Sequence, residues 1–271
     1  MSENLDEPIG TKEPFIKKYK KLIIIAITLL IIILIIIITL TIINNKNKKE
    51  KNVILTTPIY INPKDTYTYC IIWLHGVNNS PENYIDLFTK EIILNKINNT
   101  KIILLRAPIM KITCRNQNET SWFDIIKFPL DSKDTYNFED AKKSSNYLKN
   151  IIEQEAKILG DYKKIFIGGH SQGACISLYT GYNFEKLLGG VIACSGFLFQ
   201  ECDIIGDKKS LNVYLGHGDI DLSIPFEFHK ETIKRIEDYE GVKKYYYEGH
   251  EHSIMEKEKK DIEDFLNNLM I

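Results

Sequence analysis

The stretch KIFIGGHSQGACISLYTGY, residues 164–182, decides the fold. It begins with a short apolar run, which indicates a buried strand, and it ends with a segment that has the length and composition of a helix. Between the two stands Gly169-His170-Ser171-Gln172-Gly173, a match to the G-x-S-x-G nucleophile elbow. Glycines beside the serine remove Cβ atoms that would clash in so tight a turn. An ordinary glycine-rich turn is the alternative, but the strand and the helix around it favour an elbow with Ser171 exposed.

Apolar runs alternate with helical patterns on both sides of this stretch. Strands are predicted at residues 70–74, 102–105, 165–168, 191–194, 213–215 and 244–247. Amphipathic helices are predicted at residues 139–159, 225–239 and 255–269. Strands that alternate with helices form a mostly parallel sheet with helices on both faces. The fold class is therefore α/β, with a doubly wound sheet.

A serine nucleophile needs a base and a carboxylate, and in elbow enzymes they follow it in the order acid, then histidine. The strand at 213–215 is followed by Asp219 and Asp221. Asp221 is the favoured carboxylate, because Asp219 is placed to cap the turn. After the strand at 244–247 come His250 and His252, and one of the two is predicted to be the base.

Two backbone N–H groups should stabilise the oxyanion. One is that of Gln172, directly after the nucleophile. The other is that of Val77, in the loop His75-Gly76-Val77 after the first strand. His75 is interpreted as a brace of that loop. His170 and His217 are interpreted as packing or turn residues, and His229 as a residue on a helix surface. The His-x-His pair at 250–252 has no third ligand nearby, so no metal site is predicted.

Taken together, the sequence resembles the acyl-protein thioesterase, lysophospholipase and carboxylesterase family of α/β-hydrolases. The resemblance covers about 200 residues from residue 68 onward. It is carried by six blocks: LHG at 74–76, RAP at 106–108, SWFDI at 121–125, GGHSQGA at 168–174, GHGDID at 216–221 and YEGHEHS at 247–253.

The resemblance implies roles for individual residues. By position, the family's catalytic acid falls on Asp221, its base on His252 and its second oxyanion donor on Val77. Trp122 and Phe123 resemble residues beside the acyl groove. The family implies hydrolysis of thioesters or esters of long acyl chains, with acyl proteins or lysophospholipids as substrates and no cofactor. The alternatives are a short-chain carboxylesterase and a catalytically dead hydrolase fold that acts as a binding module.

Two loops depart from the family pattern. Asn78 and Asn79 follow Val77 where the family usually has a glycine, and the loop IMKITCRNQNET at residues 109–120 lacks a usual proline. Both loops shape the acyl groove, so the substrate preference of this chain is open.

An uncharged apolar run at residues 22–43 precedes the catalytic region. As a helix it would be about 33 Å long, enough to cross a hydrocarbon core of about 30 Å. The predicted organisation is a polar tail at 1–21, a transmembrane helix at 22–43, a linker at 44–65 and a hydrolase domain at 66–271.

The side of the membrane is predicted from charge. Five lysines of the tail and four of the linker flank the run, a slight excess that favours a cytoplasmic N-terminus and a lumenal or external domain. Asn-x-Ser/Thr triplets occur at Asn78, Asn98 and Asn118, although such triplets are common in an Asn-rich chain. The resemblance argues against a lumenal or external domain, because the S-acylated cysteines on which the family acts are cytosolic.

Composition excludes other classes. The net charge of −1 argues against a nucleic-acid binder. The five cysteines form no C-x-x-C pair, and those at positions 70, 175 and 194 lie in apolar runs, as expected for packed thiols.

Overall fold

The computed structural model describes residues 13–130 and 132–271, with the side chains of 13–18, 21 and 43–56 left aside. Most of the predicted tail, residues 1–12, lies outside the described residues. The chain divides into two units, Met1–Ile54 and Leu55–Ile271.

The described residues of the first unit lie in a helix, α1 (Glu13–Thr56). Within the described part of the chain, one segment, Leu22–Ile42, is long and apolar enough to cross a membrane. All its side chains are exposed, whereas those of a helix in a soluble core would be buried. A membrane span is one structure that suits such a segment.

The second unit is built on a seven-stranded sheet with the order β1-β3-β2-β6-β7-β8-β9. Its strands are β1 (Ile59–Ile61), β2 (Tyr69–Leu74), β3 (Thr100–Leu105), β6 (Ile165–His170), β7 (Gly190–Cys194), β8 (Val213–Gly218) and β9 (Val242–Tyr247). Only β1 pairs antiparallel among them. A separate hairpin joins β4 (Ile109–Ile112) and β5 (Gln117–Thr120). The prediction of a mostly parallel sheet is confirmed.

The α-helices described in this unit are α2 (Phe138–Leu159), α3 (Gln172–Asn183), α4 (Phe226–Ile236) and α5 (Glu256–Leu269), and short 3₁₀ and π helices lie in its loops. Local signals set the ends of α2: Asn137 accepts a hydrogen bond from the N–H of Asp140 at its start, and Gly160, with φ 71°, ends it. Such caps satisfy backbone groups that a helix leaves unpaired.

The sheet separates two apolar cores. In β2, Cys70, Ile72 and Leu74 face the core that includes α2 and α3, while Ile71 and Trp73 face the core that includes α5. Successive side chains of a strand point to opposite faces, so a strand covered on both faces must be apolar throughout. Cys175 and Cys194 are buried as well, as predicted for packed thiols.

The region predicted as a linker, residues 44–65, includes the end of α1 and the strand β1. The helix α1 continues to Thr56, and β1 adds an antiparallel edge strand to β3. The main-chain oxygen of Thr57 also accepts a hydrogen bond from Nε of Arg106. A three-residue edge strand whose central Tyr60 is exposed leaves no periodic signal in a sequence.

Candidate active site

Ser171 stands at the turn between β6 and α3, as the sequence predicts. Its backbone has φ 58° and ψ −122°, a conformation that is strained for a residue with a side chain. The turn is held because the N–H of Ser171 donates to the main-chain oxygen of Cys194 over 2.9 Å. It also packs tightly: a Cβ atom on Gly173 would lie 2.1 Å from the oxygen of Leu74. Glycine is therefore the residue that fits there.

Three side chains from three different loops meet at this turn. Nε2 of His252 lies 2.8 Å from Oγ of Ser171, and Nδ1 of His252 lies 2.6 Å from Oδ2 of Asp221. His252 follows β9 and Asp221 follows β8, so both come from the carboxyl edge of the parallel sheet. A hydroxyl, an imidazole and a carboxylate in this order can draw the proton from a serine nucleophile.

Asp221 is held as an ionised acceptor. Its other oxygen, Oδ1, accepts hydrogen bonds from the N–H groups of Ser223 and Ile224 over 2.8 and 2.9 Å. Burial acts to raise the pKa of Asp221, but the hydrogen bond and charge of His252 and the N–H of Ile224 outweigh it, so the pKa is lowered. The carboxylate can therefore orient the imidazole and stabilise its cation.

The alternatives left open by the sequence have other partners. Oδ1 of Asp219 accepts a hydrogen bond from the N–H of Gly249 over 2.7 Å, as a turn cap does. Nε2 of His250 lies 2.8 Å from the main-chain oxygen of Ser253. Neither side chain has a hydrogen bond to Ser171, His252 or Asp221 in the described structure.

Two further histidines pack around the three side chains. His217 lies behind the carboxylate, with Nε2 2.9 Å from the oxygen of Ile224 and 3.4 Å from Oδ2 of Asp221. The ring of His170 lies 4.8 Å from that of His252, centre to centre. Burial lowers the pKa of His217, and lowers that of His170 to about 3. Both rings are thus neutral, and they add no competing charge beside His252.

His229 differs from the sequence interpretation. It was expected on a helix surface, but its side chain is fully buried, with its ring 4.7 Å from that of His217. Burial lowers its pKa to about 3. A neutral imidazole can occupy an aromatic core, and residue type alone does not distinguish that state from an exposed one.

A cavity of about 280 Å³ opens beside Ser171. Its walls are both apolar and polar, and the apolar side chains are those of Val77, Phe123, Ile125, Phe128, Leu130 and Ile224. Gln172 and His252 also line it. Of the two residues expected beside an acyl groove, Phe123 is in the wall, whereas Trp122 borders a separate cavity. The indole N–H of Trp122 instead donates to the oxygen of His75 over 2.7 Å, which turns the ring away from the cavity.

The side chain of Gln172 ties the elbow to the loop that carries Phe123. Its Oε1 accepts hydrogen bonds from Oγ of Ser121 and the N–H of Trp122, over 2.8 and 3.0 Å. Its Nε2 donates to the oxygen of Phe123 over 2.8 Å. The two sequence blocks SWFDI and GHSQG thus form one buried hydrogen-bonded unit. The sequence alone does not predict this role, because spacing along a chain does not show which loops meet.

The loop after β2 lies against the elbow. A Cβ atom on Gly76 would lie 3.2 Å from Cβ of Ser171. His75 braces the loop, as predicted, because its Nε2 accepts from the N–H of Ala107 over 3.1 Å and its Nδ1 lies 2.7 Å from the oxygen of Gly76. Burial lowers the pKa of His75 to about 4, so the brace is neutral. Val77 follows directly and lines the cavity.

The loop that departs from the family pattern also reaches the site. Residues 109–120 form the β4–β5 hairpin, which turns at Asn116 with φ 52°. Arg115 of this hairpin lines the cavity and pairs with the buried Glu119 over 2.9 Å. No strand was predicted here, because the segment lacks alternating apolar residues.

Comparison with known proteins places these features in a family. The family model described as phospholipase/carboxylesterase matches residues 55–270. Acyl-protein thioesterase 1 of Debaryomyces hansenii is 31% identical over 215 residues, 74% of this chain and 90% of that protein. Acyl-protein thioesterase 1 of Candida albicans is 32% identical over 216 residues, 74% and 91% of the two chains.

Solved structures show the same fold. The crystal structure of Arabidopsis thaliana SOBER1 has a TM-score of 0.67 and 24% identity, covering 75% of this chain and 99% of that one. The crystal structure of Zea mays acyl-protein thioesterase 2 has a TM-score of 0.66 and 20% identity, covering 79% and 99%. The predicted α/β-hydrolase fold is thereby confirmed.

Proposed function

Because the chain belongs to the phospholipase/carboxylesterase family of α/β-hydrolases and is a hydrolase of ester and thioester bonds, we propose that it cleaves acyl chains from thioesters or carboxylic esters through Ser171, His252 and Asp221. One observation carries the assignment: Oγ of Ser171, the imidazole of His252 and the carboxylate of Asp221 are hydrogen-bonded in series at the edge of a cavity.

Acylation begins at Ser171. As its Oγ attacks the acyl carbonyl carbon, Nε2 of His252 takes the hydroxyl proton, and Asp221 stabilises the imidazolium from the other side. The tetrahedral intermediate collapses when the bond to the leaving sulfur or oxygen breaks. His252 then gives its proton to that atom, which leaves as a neutral thiol or alcohol.

The oxyanion of the intermediate is assigned to the N–H groups of Val77 and Gln172. Gln172 is the first residue of α3, where backbone N–H groups have no partner within the helix. The positive end of the helix dipole adds to this stabilisation. Removal of one donor of this kind typically costs about 3–4 kcal/mol of transition-state stabilisation.

Deacylation repeats the sequence with water. His252 takes a proton from water as the oxygen attacks the acyl carbonyl carbon, the bond to Oγ breaks, and the proton returns to Oγ of Ser171. The products are a carboxylic acid and the free enzyme. All the groups used are side chains and backbone of this chain, so the scheme requires no cofactor.

The substrates we propose are S-acylated proteins or lysophospholipids. The acyl-protein thioesterases among the relatives support the first, and the apolar part of the cavity wall beside Ser171, which includes Phe123, Ile125 and Leu130, suits an acyl chain in either case. A short-chain carboxylesterase would use the same three residues and differ in the depth of the cavity. A catalytically dead binding module is disfavoured because His252 lies within hydrogen-bonding distance of both Ser171 and Asp221.

Substitution of the three side chains tests the assignment. Ser171→Ala and His252→Ala should each lower kcat roughly 10⁴-fold or more, because each removes a partner that acts only in concert with the others. The readout is hydrolysis of a palmitoyl-thioester peptide and a lysophospholipid by the full chain in detergent, together with labelling by a fluorophosphonate probe.

His250→Ala is the matched control for the base. Nε2 of His250 contacts the oxygen of Ser253 and not Ser171, so this variant should retain activity within about tenfold. Equal losses for His250→Ala and His252→Ala would mean that the base is wrongly assigned. Failure of the wild type to label would oppose serine catalysis altogether.

We also propose that Leu22–Ile42 anchors the enzyme in a membrane. Its length, its lack of charge and its exposed side chains support a span. No small-residue cleavage site of the kind that ends a signal peptide follows it in the sequence. The lysine excess favours a lumenal or external domain, and Asn78, Asn98 and Asn118 of the glycosylation triplets are exposed.

Endoglycosidase treatment combined with protease protection of sealed vesicles tests the side. A glycosylated, protected domain supports the lumenal placement. An unglycosylated domain that protease digests from the cytosolic side contradicts it and favours S-acylated proteins as substrates.

A further inference from the structure

The cavity beside Ser171 has walls of two kinds. Phe123, Ile125 and Leu130 are apolar and buried, whereas Arg115 and Phe128 are exposed, so these two mark the side on which the cavity opens to solvent. Among the described residues that line the cavity, Arg115 alone carries a permanent charge, and none is an aspartate or a glutamate. An anion that enters the cavity therefore meets a guanidinium and no carboxylate in its walls.

The β4–β5 hairpin holds Arg115 at the cavity. Oγ1 of Thr120, at the end of the hairpin, donates to the main-chain oxygen of Asn79 over 2.6 Å. The N–H of Cys114, next to Arg115 in the chain, donates to the main-chain oxygen of Ile125 over 2.9 Å. Asn79 and Ile125 both line the cavity. The backbone that carries Arg115 is therefore hydrogen-bonded to the cavity wall, which reduces the ordering that a ligand would have to impose.

Glu119 orients the guanidinium from behind. Its Oε2 accepts a hydrogen bond from Nη1 of Arg115 over 2.9 Å, and its side chain is 6% exposed, against 42% for that of Arg115. The pair is neutral as a whole, but the guanidinium lines the cavity and the buried carboxylate does not. The nearby Asp124 accepts from the N–H and Oγ1 of Thr113 and does not line it either. The other N–H groups of Arg115 have no partner among the residues that the structure describes, so a ligand can accept from them.

The chemistry of a guanidinium indicates which ligand it would bind. Its planar array of N–H donors matches the oxygen atoms of a carboxylate or a phosphate, and these bonds are strengthened by charge. An alkyl chain laid against Arg115 would displace water from the guanidinium and return no hydrogen bond, which costs free energy. A substrate that carries an anionic group in addition to its acyl chain therefore fits the two kinds of wall better than an apolar ester does.

We propose that Arg115 is a specificity-determining residue that binds a carboxylate or phosphate group of the substrate in the cavity beside Ser171. This inference rests on the proposed function and specifies the substrate class of that site. Phe123, Ile125 and Leu130 contact the alkyl part of the substrate, and Arg115 selects for its charge. The anionic group belongs either to the alcohol or thiol that leaves or to the far end of the acyl chain.

Two matched pairs of substrates isolate the charge and distinguish these positions. In the first pair, S-hexanoyl 3-mercaptopropanoate is compared with S-hexanoyl 3-mercaptopropanamide, so that the leaving group carries either a carboxylate or an amide of the same shape. In the second pair, the S-(2-hydroxyethyl) monothioester of adipic acid is compared with that of adipic acid monoamide, so that the acyl chain carries the group. The measured quantity is the ratio of kcat/KM for the acid to kcat/KM for the amide, with the full chain in detergent at neutral pH.

Arg115→Met combined with Glu119→Gln removes the ion pair without leaving a buried carboxylate unpaired. This double variant should lower the ratio about fivefold for the pair whose acid reaches Arg115, the order expected for a partly exposed ion pair. Arg115→Lys keeps the charge but not the planar donors, so its ratio should lie between the two. Lys111→Met is the matched control, because it removes a positive charge from an exposed residue of the same hairpin that does not line the cavity, and it should leave both ratios unchanged. High ionic strength should reduce the wild-type preference for the acid.

The pair whose ratio falls identifies where the anionic group stands: the first pair indicates the leaving group, and the second indicates the acyl chain. Two outcomes overturn the proposal. One is a double variant with wild-type ratios in both pairs, and the other is a Lys111→Met variant that lowers a ratio as much as the double variant does. Either could occur while a fluorophosphonate probe still labels Ser171, so this failure is distinct from failure of the proposed function.

Discussion

Replacement of Gln172 by methionine tests the unit that joins the elbow to the cavity wall. Methionine has nearly the same length and leaves no large void, but it makes none of the three hydrogen bonds of the Gln172 carboxamide. Ser121 and Phe123 keep a partner, because the single hydroxyl hydrogen of Ser121, which has Oε1 of Gln172 and the oxygen of Phe123 both in reach, can be donated to Phe123 over 2.7 Å in the variant. In the variant, the buried backbone N–H of Trp122 is left without a hydrogen-bond partner.

The cost follows from that orphaned group. A buried N–H without a partner costs about 1–3 kcal/mol, and the other lost bonds add up to about 1 kcal/mol in net terms. The free energy of unfolding should therefore fall by roughly 2–4 kcal/mol. For a domain of this size, about 2–4 °C are lost per kcal/mol, so Tm should fall by roughly 4–16 °C.

The assay is thermal unfolding of the full chain followed by tryptophan fluorescence. Ser177→Ala is the matched control: it lies on the same helix, equally buried, but its Oγ donates only to the oxygen of Gly173. That variant orphans no donor, so it should lose below about 1 kcal/mol. A Tm for Gln172→Met that equals the wild type, or that exceeds the Ser177→Ala value, would refute the reasoning.

Two other outcomes are expected. Burial raises the pKa of Glu258 to about 8, from 4.5 in an exposed carboxyl. The folded state therefore holds a proton that the unfolded state releases. The stability that this proton contributes is full below about pH 4.5 and is lost as the pH rises to about 8. Glu258→Gln, which does not titrate, should therefore flatten the decline of Tm between these limits, and an unchanged pH profile would contradict the assignment. In the cavity, each methylene of the acyl chain should add up to about 0.8 kcal/mol to the transition-state stabilisation seen in kcat/KM until the space is filled. Leu130→Trp should end this rise at shorter chains, and a length dependence equal to the wild type would mean that the acyl chain binds elsewhere.

The fold could be predicted because its central strands are buried on both faces. Short continuous apolar runs such as residues 70–74 and 191–194 are typical of such strands, and the structure confirms both with small changes at the ends. The strand β1 and the β4–β5 hairpin were missed because they are short and partly exposed. Their positions depend on pairing with distant segments, which no local pattern records.

The part of the candidate site that could be predicted from the sequence consists of residues that each follow a strand. Ser171, Asp221 and His252 each lie in the loop or turn that follows a strand at the same sheet edge, so topology brings them together. Trp122 and Phe123 show the limit of this reasoning. They are neighbours in the chain, yet only Phe123 lines the cavity beside Ser171, because the hydrogen bond of Trp122 to His75 fixes its ring on another side.

The tight contact between the elbow and β2 bears on how such an enzyme can change over generations. Cβ atoms on Gly169 and Gly173 would lie 2.4 and 2.1 Å from the oxygen of Leu74, so even alanine, the smallest substitution, would push the strand away from the turn. A substitution at either glycine is therefore expected to destabilise the fold instead of changing the activity by degrees. Changes of specificity that keep the fold are then expected in the surrounding loops.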